Sequence, residues 1–505
     1  MDTRGTPAAV GTRGGLGRLW LAGFLAALLL YAAALAPDLA WQDSGDYQYE
    51  AARLGLSRPG DAVRVHPWFI AAAHALGLVP IWNYARAANF ASALGTALAA
   101  ANVLLLVRLL TGGVRPAVVG AASFALGHAV WGHAVIAETY GWAAAFLSGE
   151  MLCAWAYLAD RRPRWLVILF LVNGVAISNH VMAVWSLGVF AAWALVECLR
   201  GRVAARALAA AAACWLAGGT LYWIVLGMEY ARTGSLAETL HSGLVGRWAS
   251  NIFNVSDLPA LLGRSALYVA LNYPTPLILA IPLGAAAIGR RGGFEPQEIA
   301  QRQQAFARPV LALAAVYFLW AARYKVVDQY AFFVPFYVVA SVLIGVGAAA
   351  VLDRRPRAAW ALAAAALLPA AVYAALPAAA ERAGYPRFPR ELPYRNSYTY
   401  FLQPWKTCDS SARRYAAEVL DSLPPGAALV PDSTARPPLA CVHDLEGRRP
   451  DVTIRGWERP GVGGRLFVTS DVPGYFPPWA AEQGRLVPFG LVWEVVPAPA
   501  KEEGR

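Results

Sequence analysis

The chain has 505 residues, of which 58% are hydrophobic and only 15% charged, with a formal net charge of +11 and a mean hydropathy of +0.43. Soluble globular chains are nearer half apolar and a quarter charged, so these values exclude an ordinary soluble enzyme. The placement of the positive charge argues against nucleic acid, because the arginines sit in short clusters between apolar runs rather than on one face.

Residues 1–18 read as a basic cytoplasmic N-terminus, with Arg4, Arg13 and Arg18 ahead of the first apolar run. Crossing roughly 30 Å of hydrocarbon takes about twenty apolar residues. Uncharged runs of that size lie near 19–36, 87–107, 116–137, 140–159, 207–227, 265–289, 331–352 and 358–380. Glu150 interrupts the run at 140–159 and needs a partner or a cavity there. The stretch 165–196 is uncharged but too long for one crossing, and basic loops flank it at Arg161–Arg164 and Arg200–Arg206. It therefore crosses twice, turning near Ser178-Asn179-His180. A shorter run, 309–322, ends at Arg323-Tyr324-Lys325 and completes about eleven spans over 19–380.

Basic residues fall in every second loop: Arg108/Arg115, Arg161/Arg162/Arg164, Arg200/Arg202/Arg206, Arg290/Arg291/Arg302/Arg308 and Arg354/Arg355/Arg357. That alternation puts the N-terminus inside and the C-terminal region outside. A cleaved signal peptide is the competing reading of the first run, but signal cores hold ~7–15 residues and this one is longer. Lysine is nearly absent (Lys325, Lys406, Lys501), the habit of a GC-rich bacterial genome, so the expected location is a bacterial inner membrane.

From about 381 the composition changes, with Pro, Arg and Tyr crowding 385–398. Residues 381–505 read as a small extracytoplasmic α/β domain. Ser411–Leu423 has the pattern of an amphipathic helix, and Ala427–Val430, Val452–Arg455, Leu466–Thr469 and Leu491–Val496 have the pattern of buried strands. Cys408 and Cys441 both fall there, and spacing alone leaves open whether they pair. Cys153, Cys198 and Cys214 lie in or beside spans and read as packing residues.

The polar residues gather in the outer loops. Asp43, Ser44, Gly45 and Asp46 open the first of these (37–84) and His66-Pro67 closes it; Glu138 and Tyr140 mark the second; Asn179 and His180 the third; Arg323, Lys325 and Asp328 a later one. Each has a bland reading. Asp43 or Asp46 suits the N-cap of an interfacial helix over 47–55, and Glu138 suits a cap for the following span. Asn179-His180 fits a tight turn, and Arg323 and Lys325 fit snorkelling anchors. His128 and His133 approach one helix face but lack a third metal ligand. The sequon Asn254-Val255-Ser256 lies on the same outer side. Convergence favours function: five loops bring ionisable or polar groups to one membrane face. Cations at that level suit a lipid-linked phosphate, and a carboxylate nearby suits a general base toward an acceptor hydroxyl. Two acids three residues apart also suit Mg²⁺ or Mn²⁺ held with a phosphate, so a divalent cation stays open.

Several stretches resemble the protein O-mannosyltransferase-like membrane family. They are QDSGDYQYEAARLGL (42–56), NYARAANFASALGTALAAANVLLLV (83–107), AVIAETYGWAAAF (134–146), GVAISNHVMAV (174–184), DQYAFFVPFYVV (328–339) and, in the tail, YAAEVLDSLPPGAALVPD (415–432) followed by RRPDVTI (448–454). They run in order across roughly 20–456. The resemblance implies a mostly α, GT-C-like membrane glycosyltransferase that takes a sugar, mannose by the family's habit, from a polyprenyl-phosphate donor. The acceptor would be a hydroxyl of an extracytoplasmic protein or glycan, with inversion at the anomeric carbon. It implies Asp43 as general base with Asp46 assisting. Glu138, Tyr140, Asn179 and His180 would line the cavity, and Arg323, Lys325 and Asp328 would lie by the carrier phosphate. One departure stands out: the family's His-Pro-Pro-Gly stretch is Ser57-Arg58-Pro59-Gly60 here, with His66-Pro67 following. Either His66 keeps the role after an insertion or Arg58 replaces it.

Two other classes compete. A transporter or flippase of a lipid-linked sugar would use broken helices and midplane sites, for which Glu150 and the Asn272–Pro276 interruption speak. A mere anchor for the tail would not need eleven spans.

Overall fold

The structure, a computed structural model, describes residues 13–252, 256–289, 297–458 and 464–497. Arg4, Arg290, Arg291 and the sequon residues Asn254 and Val255 lie outside the described residues. Helix α1 (Arg13–Ala34) leads into a short amphipathic helix, α2 (Gln42–Arg53), and then α3 (Pro67–Gly77) and α4 (Tyr84–Thr111). Asn83 caps α4 by accepting from Arg86 N at 2.7 Å, and Gly112 ends it in the left-handed region. There follow α5 (Val114–Ala125), α6 (His128–Ala134), α7 (Tyr140–Asp160), α8 (Arg164–Asn179) and α9 (Val184–Leu199). The two crossings expected of 165–196 are α8 and α9, which turn at His180.

Two uncharged runs expected to cross are bent, the second at the Asn272–Pro276 interruption noted in the sequence. Helices α10 (Ala205–Gly218) and α11 (Thr220–Thr233) meet at 62°, where Gly218 lies so close to α8 that a Cβ would meet Leu171 O at 2.4 Å. A small interfacial helix, α12 (Leu236–Leu244), and α13 (Ala249–Ile252) come next. Helices α14 (Leu258–Asn272) and α15 (Ala280–Ala287) then turn by 117° at a segment carrying Pro274 and Pro276, which cannot continue a helix. The run 116–137 is likewise broken: Gly127 interrupts it, and Asn272 Oδ1 accepts from Ala129 N at 3.1 Å there. Three long helices complete the bundle: α16 (Gln297–Arg323), α17 (Val334–Arg354) and α18 (Ala359–Ala383). Every residue of α17 from Val334 to Ala349 is buried, the mark of a helix apolar all round at the centre of the bundle. Among the described residues, seven helices are long and apolar enough to cross a membrane, nine if each bent pair is one span. The shorter α5 and α8 are the remaining apolar helices.

After α18 the chain builds α19 (Ser397–Leu402), α20 (Ser411–Ser422), α21 (Arg436–Ala440) and α22 (Pro478–Gln483) around a five-stranded sheet. Its strands are β1 (Ala428–Val430), β2 (Thr453–Ile454), β3 (Leu466–Val468), β4 (Gly484–Phe489) and β5 (Val492–Pro497), in the order β2-β1-β3-β5-β4. β1 runs parallel to β2 and β3, and β5 runs antiparallel to β3 and β4. Cys408 is exposed, Cys441 is buried and both are free thiols.

The sheet's core is continuous with the first outer loop. Leu39, Trp41 and Ala85 pack in one cluster with Tyr415, Leu429 and Leu439. Trp41 Nε1 donates to Ser411 Oγ at 2.9 Å, and Arg413 bridges Asp38 and Glu446. Helix α2 is thus clamped between the bundle and the C-terminal unit.

Candidate functional site

Helix α2 carries the Asp-Ser-Gly-Asp stretch, and each of its residues has a separate task. Asp43 Oδ1 accepts from Arg64 Nη2 at 2.8 Å, and its side chain stays 49% exposed. Ser44 Oγ donates to Glu138 Oε1 at 2.8 Å. Gly45 allows α21 to approach, since a Cβ there would meet Ala40 O at 2.5 Å and Pro437 Cβ at 2.8 Å. Asp46 pairs with Arg58 at 3.4 Å and with Arg64 at 3.8 Å. Two residues further on, Gln48 Nε2 donates to Asn89 Oδ1 at 2.8 Å and Gln48 Oε1 accepts from Ala40 N, which pins α2 to α4.

Neither aspartate caps the helix. α2 begins earlier than the spacing suggested, its N-cap is Trp41, and no side chain caps it. Glu138 does not cap α7 either; the N-cap there is Thr139, and the Glu138 carboxyl turns to Ser44 instead. The backbone of Glu138 is held by Ser92, whose Oγ accepts from Glu138 N at 2.7 Å. The cap reading therefore fails for all three acids, and α2 is oriented by side chains beneath it.

Behind the acids stands an aromatic and imidazole wall. His66 adopts a left-handed backbone (φ 50°) at the start of α3, and its Nδ1 lies 2.9 Å from Asn179 O. Its ring lies 4.7 Å from that of His180, which is 6.0 Å from Tyr140. Asn179 Nδ2 donates to Thr139 O at 3.0 Å. Sparsely populated backbone of this kind is held only where surroundings impose it, and it gathers at functional sites. His66 thus joins the site from the first loop. Arg58 joins it too, but on other partners: it pairs with Asp46, whereas His66 stands against Asn179, His180 and Tyr47.

The charges are mutually adjusted. Burial pushes Glu138 well above the usual carboxylate range, and the charges of Asp43 and Asp328 push the same way. Asp328 rises to about 6, first by burial and then through Asp43. Burial likewise raises Asp46, against the pull of Arg58. Burial holds His66 well below the ordinary histidine range, with His180 adding to the effect. Asp43, half-exposed and paired with Arg64, is the acid of the cluster that reaches solvent.

The later loop divides. Asp328 faces the acid cluster, whereas Lys325 pairs with Asp257 and its main chain is tied to Asn251. Arg323 closes α16 on the same loop. The cations actually touching the aspartates are Arg58 and Arg64. Arg64 carried no sequence signal beyond being a basic residue two places before His66. His133 Nδ1 lies 2.6 Å from Ala129 O and the His128 ring packs on Tyr373, so both serve packing. Among the described residues no group of three or more His, Cys, Asp or Glu side chains is arranged to hold a metal. The acids of α2 are engaged by Arg58 and Arg64.

Residues 43–204 match the family model described as the Protein O-mannosyl-transferase TMEM260 N-terminal domain, which begins at Asp43 itself. No curated protein sequence matches the chain. Among solved structures, ArnT from Cupriavidus metallidurans bound to undecaprenyl phosphate is similar at a TM-score of 0.60 and 16% identity, over 97% of this chain and 100% of that one. The same enzyme in the apo state gives 0.57 at 16% identity, over 96% and 99%. An Archaeoglobus fulgidus oligosaccharyltransferase, in complex with Zn and sulfate, gives 0.50 at 15% identity, over 86% of this chain and 62% of that one. At such identities the likeness is one of fold, and the fold is GT-C: a multi-pass α-helical membrane protein with a small C-terminal sheet.

Proposed function

We propose that this chain is a membrane glycosyltransferase that moves a sugar, mannose in the first instance, from a polyprenyl-phosphate carrier to a hydroxyl of an extracytoplasmic protein or glycan. The observation that carries the reading is Asp43: half-exposed, salt-bridged to Arg64, and backed by the buried Glu138 on the same face as the C-terminal unit. The family match over 43–204 and the GT-C fold support the class of reaction.

Asp43 takes the proton of the acceptor hydroxyl as its oxygen bonds to the anomeric carbon. The bond from that carbon to the phosphate oxygen breaks on the opposite face, which inverts the configuration. The carrier phosphate leaves with the electron pair. Arg58 and Arg64 compensate charge beside the acids as the proton moves. The opposite end of the bundle gathers Arg161, Arg200 and Arg202 on Glu197. On the positive-inside rule that end faces the cytoplasm and the acids face out.

Asp43→Asn keeps the shape and removes the base. Transfer from a radiolabelled polyprenyl-phosphate sugar should fall by about 10²–10⁴-fold while the protein remains folded in the membrane. Full activity of this variant would end the base assignment. The flippase reading draws on the 117° break between α14 and α15. It predicts lipid-carrier flux in vesicles that survives Asp43→Asn, with no sugar transferred.

A further inference from the structure

The segment that follows the last spanning helix carries a half-buried arginine, Arg395, and a buried lysine, Lys406, that the acid cluster does not use. Arg395 stacks its guanidinium over Tyr400 (4.2 Å to the ring centroid), Phe401 (5.1 Å) and Trp41 (5.8 Å). Its Nε and Nη1 are buried without a hydrogen-bond acceptor. Lys406 is 8% exposed, and its Nζ donates to two backbone carbonyls, Tyr400 O at 2.8 Å and Gln403 O at 2.5 Å. Among the described residues neither cation has a carboxylate within ion-pair distance, whereas Arg390, in the same segment, is fully matched by Asp432 at 2.7 Å.

A buried charge without a counter-charge is costly, and proteins pair such groups or bring a ligand to them. Burial depresses both Arg395 and Lys406, the latter to about 8, and the charge of Asp409 pulls the other way without offsetting it. Aromatic faces supply part of the compensation for Arg395, but they accept no hydrogen bond from Nε or Nη1.

The location gives the missing anion a source. Trp41, under Arg395, is two residues ahead of Asp43. Tyr400 responds electrostatically to Arg395 on one side and to Glu138 on the other. Tyr330, beside Asp328, feels both Tyr400 and Glu138. Lys406 N donates to Ala34 O, at the outer end of the first spanning helix, at 2.9 Å. The 395–406 segment therefore lies against Trp41 and the end of α1, with Tyr400 near enough to Glu138 to feel its charge.

We infer that Arg395, supported by Lys406, forms a phosphate-binding site that the C-terminal unit contributes beside the acid cluster, and that its ligand is the phosphate of the lipid carrier. This inference rests on the proposed function for the identity of the lipid. Arg58 and Arg64 remain committed to the aspartates, so a separate cation is needed for the phosphate. A planar guanidinium held by stacked rings is suited to it.

The test is saturable binding of a C55 polyprenyl phosphate to the full-length protein in detergent, by ligand-dependent thermal shift and by direct titration. Polyprenol, an anionic phospholipid and inorganic phosphate serve as separate arms. Wild type should bind the polyprenyl phosphate but not the polyprenol. Arg395→Gln should weaken binding by about 10–100-fold, the loss of a charge-assisted hydrogen bond, and Arg395→Lys, which keeps the charge but not the plane, should weaken it less. The unliganded melting point of each variant shows whether the fold survives. If Arg395→Gln is unfolded, the Arg395→Lys titration decides. Binding by a folded variant within twofold of wild type overturns the inference and leaves the proposed function standing. Equal competition by the anionic phospholipid overturns the carrier assignment. Phosphate binding that depends on Arg395, without polyprenyl-phosphate binding, supports the anion site and overturns the lipid-donor reading; no binding of either overturns both.

Discussion

Ser44 sits between two carboxylates in different surroundings, Glu138 buried and Asp43 half-exposed. Its hydroxyl binds Glu138 below, while Asp43, one residue earlier, turns outward to Arg64. Glu138 and Asp328 are pushed toward neutrality, so the cluster can hold protons without crowding full charges together. Asp328 shows the cost most directly. Its folded value near 6 lies above the ordinary 3.8, so the unfolded chain gives up this proton first as pH rises. Stability from this group is greatest below about pH 4, falls through about pH 6, and stays low above that. Asp328→Asn cannot ionise. It should therefore melt higher than wild type at pH 8, by up to about 3 kcal/mol in stability, with the gap closing toward pH 4. A gap that does not change with pH would remove Asp328 from the cluster. The neighbouring Lys325, read from sequence beside Asp328, is a useful contrast: three residues of loop were enough to turn it to Asp257 instead.

Small residues decide how closely the elements approach. A Cβ on Gly174 of α8 would meet Trp215 O at 2.2 Å, and one on Gly95 of α4 would meet Trp142 N at 2.8 Å, so these helices pack backbone to backbone. Gly45 leaves room on two sides of α2, for the Ala40 carbonyl just ahead of the helix and for Pro437 of α21, neither of which can swing aside. Gly45→Ala should destabilise the protein by about 1–3 kcal/mol, with the C-terminal unit becoming the first part cut in limited proteolysis. An unchanged melting point would mean that α2 shifts without loss. Apolar run length and loop charge made most of the elements readable in advance, including the double crossing at α8 and α9 and four of the five strands. The missed strand, β4, mixes Gly484, Arg485 and Pro488 into its run and lies at the sheet edge, so no continuous apolar signal marks it. The Asn272–Pro276 bend was marked by its prolines, but the one at Gly218 was hidden: hydropathy reports that a segment prefers lipid, not whether it runs straight. The acids of the site were legible as motifs. Their partners Arg64, Ser92 and Asn89 were not, because each lies far in sequence from the residue it serves or carries an unremarkable side chain.

At the scale of the whole molecule the C-terminal unit is part of the site rather than an appendage. Trp41 and Leu39 reach out of the membrane portion into its core, Asp38 is held by Arg413, and Tyr49 and Tyr84 donate to Asp444 and Glu446 across the same boundary. These contacts, together with Gln48 and Asn89, fix α2 from both sides, and the orientation of Asp43 follows from α2. Removing residues 384–505 takes away none of the acids, yet it strips one wall from the helix that bears two of them. It exposes Trp41 and Leu39, both now almost wholly buried, which by themselves represent several kcal/mol of apolar burial. The truncated chain should still insert, since its spanning helices are intact, but it should transfer no sugar, and protease should cut within α2 at Arg53. Supplying the C-terminal unit in trans should restore protection of α2 before it restores activity, because the helix must be clamped for Asp43 to meet an acceptor. A truncated protein that keeps both α2 protection and transfer would show that the membrane portion orients Asp43 alone.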